Sequence, residues 1–404
     1  MRPPISERKL VFLLGSVQLL LTLDFTLVLP LGPDFAKALA IPTSKLGLVA
    51  ASYNAAEAVV GIAGAFFLDR FDRRRTLAVA LTGLVIGTAA SGFATGLVSL
   101  VATRMLAGVF GGVAETLVYT IVIDAVVPGR RGRAIGAIAS TTAVASVLGV
   151  PAGLELARLG GWRVPFFTLA ALGTVFVAAA ISLLPPQRVH LSAQQTPLRA
   201  VLRRSVVRLG ITCMAIGTIA HYTLVPNISA YVQFNRGYPR DRLGLIYMVG
   251  GGFVFGTIRI AGWLTDRYAA PSIALFGTAL YATVLIFGFV FPVAAIPVVV
   301  VFVGFMISSS FRFVPMRTLM SRVPGPAERA RFMSVEAAVD SAAAATGAML
   351  GAQILSEHPD HSLAGIGELA LLAIAMTLVY SALCYSVEHQ VRAHVVGAAP
   401  CPGE

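Results

Sequence analysis

The sequence predicts an all-α membrane protein, with twelve transmembrane helices arranged as two pseudo-symmetric six-helix bundles. Three observations support this fold class: an apolar composition, twelve apolar runs of spanning length, and loop motifs that recur half a chain apart. Hydrophobic residues make up 57% of the 404 residues, and the mean hydropathy is +0.82. Because soluble globular domains are far less apolar, membrane insertion is the first hypothesis.

Twelve apolar runs are long enough to cross a hydrocarbon core, which requires about 20 helical residues. We number them spans 1 to 12, and they occupy residues 10–31, 46–68, 76–95, 98–126, 133–157, 164–184, 208–233, 243–264, 271–291, 296–320, 331–355 and 364–386. Basic residues before span 1 resemble the start of a signal peptide. Asp24 within that span, and the eleven spans that follow, predict an uncleaved helix instead.

The net charge of +12 fits either an anionic partner such as nucleic acid or the basic loops that orient a membrane protein. If the N-terminus is cytoplasmic, the inner segments hold 21 of the lysines and arginines, and the outer loops hold 7. This asymmetry favours the topological explanation, with both termini in the cytoplasm and no nucleic-acid partner. The three cysteines are scattered, which predicts neither a disulfide framework nor a metal site.

The loop after span 2 has a shorter copy later in the chain. Asp69 and Arg70 recur as Asp266 and Arg267 after span 8, an offset of 197 residues, and the tripeptide "VPG" after span 4 recurs after span 10 at an offset of 196. Two matches at nearly the same spacing predict an internal repeat.

The repeat divides the chain into two halves of six spans each. The predicted domains are residues 1–184 and 209–404, and a polar, basic cytoplasmic linker at 185–208 joins them. Halves of equal orientation are typical of transporters that expose a site near the midplane to alternate sides of the membrane.

These loop residues resemble the signature of the major facilitator superfamily, G-x-L-x-D-R-x-G-R-R/K-x-x-L. The matching residues are Asp69, Arg70, Arg73, Arg74 and Leu77. Ala65 and Asp72 stand where the signature has glycine. The copy after span 8 keeps Gly262, Leu264, Asp266 and Arg267 but lacks the basic pair.

Two shorter motifs resemble one branch of this superfamily. "RMLAG", beginning at Arg104, is similar to the span 4 signature, and "GVPAG", with Gly149, Pro151 and Gly153, is similar to the span 5 motif of proton antiporters. The second motif is typical of the twelve-span drug and sugar-efflux branch. The resemblance implies a monomer in the bacterial inner membrane, with a small-molecule substrate and protons as partners and a cavity lined by spans 1, 4, 7 and 10.

The resemblance also implies a charge cluster at the cytoplasmic ends of the spans. An acid at the inner end of span 4 typically pairs with the loop after span 2, so Asp69, Arg73 and Asp124 are expected to form a latch that holds the halves together when the cavity faces outward. Asp124 follows Glu115 by nine residues and therefore points away from it. The alternative is that the basic residues only signal topology.

Charged residues inside the spans cost about 3 kcal/mol each on insertion scales and are a functional-site hypothesis by default. Five acids accompany three arginines there, so two carboxylates lack a permanent cation. The proton-coupling candidates are Asp24, Glu57 and Glu115. In the C-terminal half, Glu336 and Asp340 share one helix face and would repel each other, and we predict a structural charge network in which Arg259 and Arg312 offset them.

The substrate-cavity candidates are Arg104, Tyr119, His221, Tyr222, Asn227 and Arg312. For span 4 the structural alternative is tight helix packing through its glycines, with Arg104 neutralised by a neighbour. For His221 it is a hydrogen-bonded packing role.

These features predict a secondary active transporter that exports small amphipathic organic compounds by proton antiport. The alternative is a proton-coupled or facilitative transporter of a sugar, metabolite or lipid. The sequence contains neither H-E-x-x-H nor G-x-x-x-x-G-K-[ST], so neither an enzyme nor an ATP-driven pump is predicted. No cofactor or metal is expected.

Overall fold

The computed structural model describes five stretches of the chain: residues 6–67, 71–127, 130–184, 203–324 and 329–397. Eleven helical segments in them are long and apolar enough to cross a membrane. The β-structure in these stretches is one two-stranded antiparallel hairpin, in which Ser356–Glu357 pairs with Leu363–Ala364. The predicted all-α membrane fold is confirmed.

The helices of the first half lie close to the predicted spans. Spans 1 to 6 are Glu7–Thr26, Leu46–Phe67, Arg73–Gly92, Leu97–Ala125, Arg131–Gly160 and Arg163–Leu183. A short helix, Gly32–Leu39, follows span 1 and ends where Ala40 adopts a left-handed conformation with φ of 51°. This short helix holds the chain at the predicted outer side between spans 1 and 2.

The second half continues in the same way. Spans 7 to 12 begin with the helices Ser205–Tyr222, Leu243–Arg267, Ala270–Leu285, Val298–Ser321, Arg329–Ile354 and Ile366–Gly397. Span 11 has 26 residues but is not among the eleven apolar candidates, so the count of twelve remains a prediction. Span 7 begins inside the predicted linker, of which residues 185–202 lie outside the described stretches.

Local sequence explains where several helices start and break. Asp72 is the N-cap of span 3, because its carboxylate accepts the backbone N–H groups of Arg74 and Arg75. The departure from glycine at this signature position therefore supplies a helix cap. In span 7, Pro226 has no N–H and lies in the 3-10 turn Val225–Asn227 that interrupts the helix.

Glycines let the spans of the first half approach closely. A Cβ atom at Gly108 would lie 2.3 Å from the Tyr53 carbonyl oxygen, and one at Gly87 would lie 2.8 Å from the Ala107 nitrogen. Span 4 can therefore pack directly on spans 2 and 3, as small residues allow in membrane helices. The tight-packing alternative for the span 4 glycines agrees with this geometry.

The two halves meet along two helix pairs, spans 2 with 11 and spans 5 with 8. A Cβ atom at Gly47 would lie 2.4 Å from the Ala348 carbonyl oxygen, and one at Gly251 would lie 2.9 Å from that of Ser146. Both pairs therefore pack with backbone in close contact. Large apolar side chains elsewhere on the spans remain exposed, as expected of surfaces in lipid.

Candidate functional site

Two carboxyl groups meet in the N-terminal half and contact the C-terminal half. The carboxyl group of Glu57 on span 2 lies within hydrogen-bonding reach of that of Glu115 on span 4. Gln18 Nε2 donates to Glu115 Oε1 at 3.1 Å, and Ser341 Oγ on span 11 donates to Glu57 Oε2 at 3.1 Å. The acid pair, Glu57 with Glu115, thus has polar neighbours on spans 1 and 11.

Span 4 carries a glycine where the acid pair needs space. A Cβ atom at Gly112 would lie 2.9 Å from Cγ of Glu57. A larger residue there would push Glu57 away from Glu115. Two carboxylates in contact repel each other when both are ionised, so this geometry is suited to holding a proton between them.

Asp24 lies elsewhere, in a separate buried ion pair. Its Oδ2 is 3.1 Å from Nη1 of Arg104, and both side chains are 1% exposed. Thr88 donates to the second carboxylate oxygen at 2.6 Å, and Arg104 Nε donates to Ser91 Oγ at 3.0 Å. The structure therefore brings together Glu57 and Glu115, but not Asp24, from the three proton-coupling candidates.

The charge network of the C-terminal half has a different cation from the one expected. Arg317 on span 10 bridges Glu336 at 3.0 Å and Asp340 at 2.8 Å. Arg259 contacts neither acid, since its guanidinium lies over the Phe255 ring, 3.7 Å from the centroid. Its predicted place in this network is wrong.

Sequence reasoning missed Arg317 because it lies near the inner end of span 10, where a basic residue is equally expected as a cytoplasmic topology signal. The signal that could have identified it is the spacing of Glu336 and Asp340, which are one turn apart and need a cation on a neighbouring span. Arg312, the other expected partner, forms an ion pair with neither acid and is 3% exposed between the rings of Tyr281 and Tyr380.

Aromatic rings surround the candidate histidine. His221 stacks on Phe305 with centroids 5.5 Å apart and meets the edge of Phe313 at 4.9 Å. Its Nδ1 is 3.5 Å from Ser309 Oγ. Tyr222 faces the other half, 6.3 Å from Phe25 between ring centroids. These residues form a half-buried aromatic wall on the C-terminal side.

Two further cavity candidates, Tyr119 and Asn227, lie on spans 4 and 7. Tyr119 is half-buried one turn after Glu115. Asn227 lies at the break in span 7 and is fully buried, and its amide has no hydrogen-bond partner among the described residues. A Cβ atom at Gly351 would lie 3.2 Å from Asn227 Nδ2, which explains the small residue there.

The cytoplasmic motif is only partly visible. Asp69 and Arg70 lie outside the described residues. Arg73 forms an ion pair with Asp124. Asp124 therefore points toward span 3 and away from the acid pair, as expected from its position on span 4. This ion pair joins spans 3 and 4 within one half.

The copy after span 8 has a different arrangement. Arg267 lies over the Trp263 ring, 4.0 Å from its centroid, and Asp266 is exposed. Among the described residues, no ion pair of the second half corresponds to that of Arg73 with Asp124, because Ala270 and Ser321 stand at the equivalent positions.

The span 5 motif brings two other helices close. Cβ atoms at Gly149 and Gly153 would lie 2.2 Å and 2.4 Å from the side chains of Leu23 and Leu27 on span 1. The carbonyl oxygen of Pro151 would lie 3.7 Å from a Cβ atom at Gly244 on span 8. The motif therefore packs span 5 against span 1 and against the opposite half.

A set of contacts missed by sequence reasoning joins the halves at the predicted outer side. Arg240 forms a two-pronged ion pair with Asp34, with its shortest distance 2.6 Å. The backbone N–H of Thr43 donates to Glu357 at 2.7 Å, and Lys45 Nζ donates to a carbonyl oxygen of span 11 at 3.2 Å. Among the described residues, the polar contacts between halves lie here and at Ser341, so the halves are in contact at the predicted outer side.

Comparisons with known proteins agree with this architecture. A model of the Major Facilitator Superfamily matches residues 14–348. The crystal structure of a D-xylose-proton symporter is similar with a TM-score of 0.77 at 14% identity, covering 93% of this chain and 97% of that chain. A bacterial homologue of the human lysosomal transporter Spinster, in an inward-facing and unoccupied conformation, gives 0.71 at 14% identity, covering 98% and 99%.

The nucleoside transporter NupG is also similar, with a TM-score of 0.69 at 12% identity, covering 95% of this chain and 99% of that chain. At these identities the likeness concerns the fold. The family match covers most of the chain and agrees with the loop signature, the helical spans and the site between two halves. The protein belongs to the Major Facilitator Superfamily and is a membrane transporter.

Proposed function

We propose that the protein exports small amphipathic organic molecules by proton antiport and that the acid pair binds the coupling proton. The observation that carries this proposal is the contact between Glu57 and Glu115, together with the hydrogen bond from Ser341 of the opposite half. Two acids in contact inside a membrane are costly, and such groups commonly mark proton pathways.

The acid pair offers a physical link between the proton and the position of the halves. With one proton shared, the pair carries a single negative charge and Glu57 accepts the hydroxyl of Ser341. Loss of the proton leaves two negative charges in contact, which favours movement of Glu57 and a changed hydrogen bond to span 11. A ligand shifts a conformational equilibrium only through such differential contacts.

The aromatic wall supports an amphipathic substrate. The partly exposed rings of His221 and Phe313, with the buried Phe305 ring packed behind His221, supply apolar surface with a few polar atoms, which is the usual composition of small-molecule sites. A monomer in the bacterial inner membrane forms part of this proposal, as the span 5 motif and the basic inner loops predicted.

Transport by reconstituted protein tests the proposal. A compound that raises the thermal midpoint of the purified protein would be loaded into proteoliposomes, and its movement followed with and without an imposed pH gradient. We expect transport to follow the gradient in the wild type and in the control Glu155→Gln, an exposed acid paired with Arg158. Glu57→Gln and Glu115→Gln should both lose this dependence.

Gradient-independent transport by the wild type, or gradient-driven transport by both variants, would contradict proton antiport. Either result would favour the facilitative alternative, a transporter of a sugar, metabolite or lipid that needs no titrating acid.

A further inference from the structure

Arg312 is a buried cation without an acidic partner. It lies on span 10 and is 3% exposed. Its guanidinium carbon is 4.3 Å from the ring centroid of Tyr281 and 5.4 Å from that of Tyr380. Ring faces attract a cation, but they do not accept its N–H groups as an anion does.

The hydrogen-bonding capacity of this arginine is mostly unused. Nη2 donates to the carbonyl oxygen of Gly217 at 3.4 Å, and the Tyr281 hydroxyl lies within hydrogen-bonding reach of the guanidinium. Nε and Nη1 make no hydrogen bond of good geometry to a described residue. No carboxylate in that part of the chain lies within ion-pair distance. The neighbouring acids, Glu336 and Asp340, are both held by Arg317.

Arg104 shows how the same chain neutralises a buried arginine elsewhere. It is equally buried in span 4, where Asp24 supplies the counter-charge and Ser91 accepts from Nε. Arg104 also leaves Nη2 without a partner among the described residues, so the two arginines differ chiefly in the counter-charge. A buried charge without a counter-charge is costly and is retained where an ion or ligand supplies one.

Arg312 borders a pocket between spans 7, 10, 11 and 12. The pocket is lined by Met214, Thr218, Arg312, Arg317, Asp340 and Tyr380, among others. The side chain of Arg317 is 57% exposed, so the pocket that Arg312 borders is open at Arg317.

The position of Arg312 in the repeat supports a role at the cavity. Arg312 follows Glu115 by 197 residues, the spacing that separates Asp69 from Asp266. The two halves thus carry an acid and a base at equivalent points of spans 4 and 10. Glu115 belongs to the acid pair, which faces the opposite half.

We propose that Arg312 binds an anionic group, a carboxylate or phosphate, of the transported organic molecule. This inference rests on the proposed transport function but not on proton coupling. The aromatic wall, which includes Phe313 next to Arg312, would contact the apolar part of the same molecule. The substrate class is accordingly an amphipathic organic anion or a zwitterion.

Binding of simple probes to purified protein tests the assignment without transport. Benzoate and phenyl phosphate would be titrated against the thermal midpoint, with chloride and inorganic phosphate at equal ionic strength and benzyl alcohol as the neutral analogue. We expect a saturable rise with the two aromatic anions in the wild type and in Arg259→Gln, an exposed arginine of the same half. In Arg312→Gln the apparent affinity should fall by about tenfold or more, the effect of losing a charge-assisted hydrogen bond.

Arg312→Lys keeps the charge and tests the same contact if the glutamine variant does not fold. We expect the lysine variant to bind the probes several-fold more weakly than the wild type, because an ammonium group cannot reproduce the guanidinium geometry. An equal rise in wild type and both variants, a rise with benzyl alcohol alone, or no rise with either aromatic anion would overturn the proposal. A rise with inorganic phosphate or chloride only would also overturn it, since the site would then hold a free ion.

The pH-gradient assay on Glu57→Gln and Glu115→Gln can fail while probe binding at Arg312 persists, and the converse also holds. The failure of the anion subsite is therefore distinguishable from the failure of proton antiport.

Discussion

The two halves of the transporter bury charges in opposite ways. In the N-terminal half, the buried arginine has a counter-charge, whereas two of the buried acids have none. Arg104 is neutralised by Asp24, whereas Glu57 and Glu115 contact each other with no cation in a described ion pair. The unpaired charge of this half is negative.

In the C-terminal half, the two acids on span 11 have a counter-charge, whereas a buried arginine has none. Glu336 and Asp340 share Arg317, whereas Arg312 lies between tyrosine rings with two nitrogen atoms unpartnered among the described residues. The unpaired charge of this half is positive. The difference indicates a division of labour, with proton exchange in one half and recognition of an anionic group in the other.

The largest expected effect concerns the two buried arginines. Arg104→Met leaves the Asp24 carboxylate buried without its cation, and we expect a loss of about 3–5 kcal/mol of stability. Arg312→Met leaves no orphaned acid and should leave stability unchanged or raise it by about 1 kcal/mol. Thermal unfolding in detergent compares the two. Similar losses in both variants would contradict the difference between the halves.

A smaller effect is expected when the acid pair is altered. Glu57→Gln and Glu115→Gln should each lower gradient-driven transport by about tenfold or more, equivalent to about 1.4 kcal/mol. Ser341→Ala removes only the hydrogen bond from the other half and should have a weaker effect. Initial rates in proteoliposomes measure all three. If Ser341→Ala lowered transport as much as the glutamate changes, the hydrogen bond between the halves, and not the acid pair, would be the main determinant of gradient-driven transport.

The outer contact between the halves should contribute modestly. Asp34→Asn removes the partner of Arg240 in a partly exposed ion pair. We expect the conformational equilibrium to shift by about 0.5–1 kcal/mol toward the outward-open form. Solvent accessibility of a cysteine introduced at Val49, a buried residue beside this contact, reports the shift. Glu155→Gln, which breaks an exposed pair on span 5, should leave the accessibility unchanged.

The smallest effects are expected at the cytoplasmic motif and its copy. Asp124→Asn removes the partner of Arg73 and should slow transport more than Asp266→Asn, which changes an exposed residue. Asp69→Asn should likewise be more damaging than Asp266→Asn. Transport rates at equal protein levels measure the difference. Equal effects of the changes in the two halves would count against a larger role for the first copy of the motif.

Much of this fold could be predicted because it depends on properties of single residues. Apolar runs locate the spans, and arginine distribution orients them. Helical geometry predicts that Asp124 points away from Glu115. The pairing of Asp124 with Arg73 was implied by the family resemblance, and the structure contains that ion pair.

The site could be predicted only in part, because it depends on how helices are placed relative to one another. Glu57 and Glu115 were recognised as acids near mid-membrane, but their contact depends on the space left by Gly112. The sequence does not reveal which of several arginines reaches span 11, so Arg259 was chosen and Arg317 was missed. Helix rotation and neighbour choice decide both questions.

Infrared spectroscopy during a pH titration of the purified protein tests the central claim most directly, because it detects a protonated carboxyl group without any substrate. We expect a carboxylic-acid C=O band in the wild type that both Glu57→Gln and Glu115→Gln lose and that Asp24→Asn keeps. A band that persists in both glutamine variants, or one that only Asp24→Asn removes, would contradict the assignment of the proton to the acid pair.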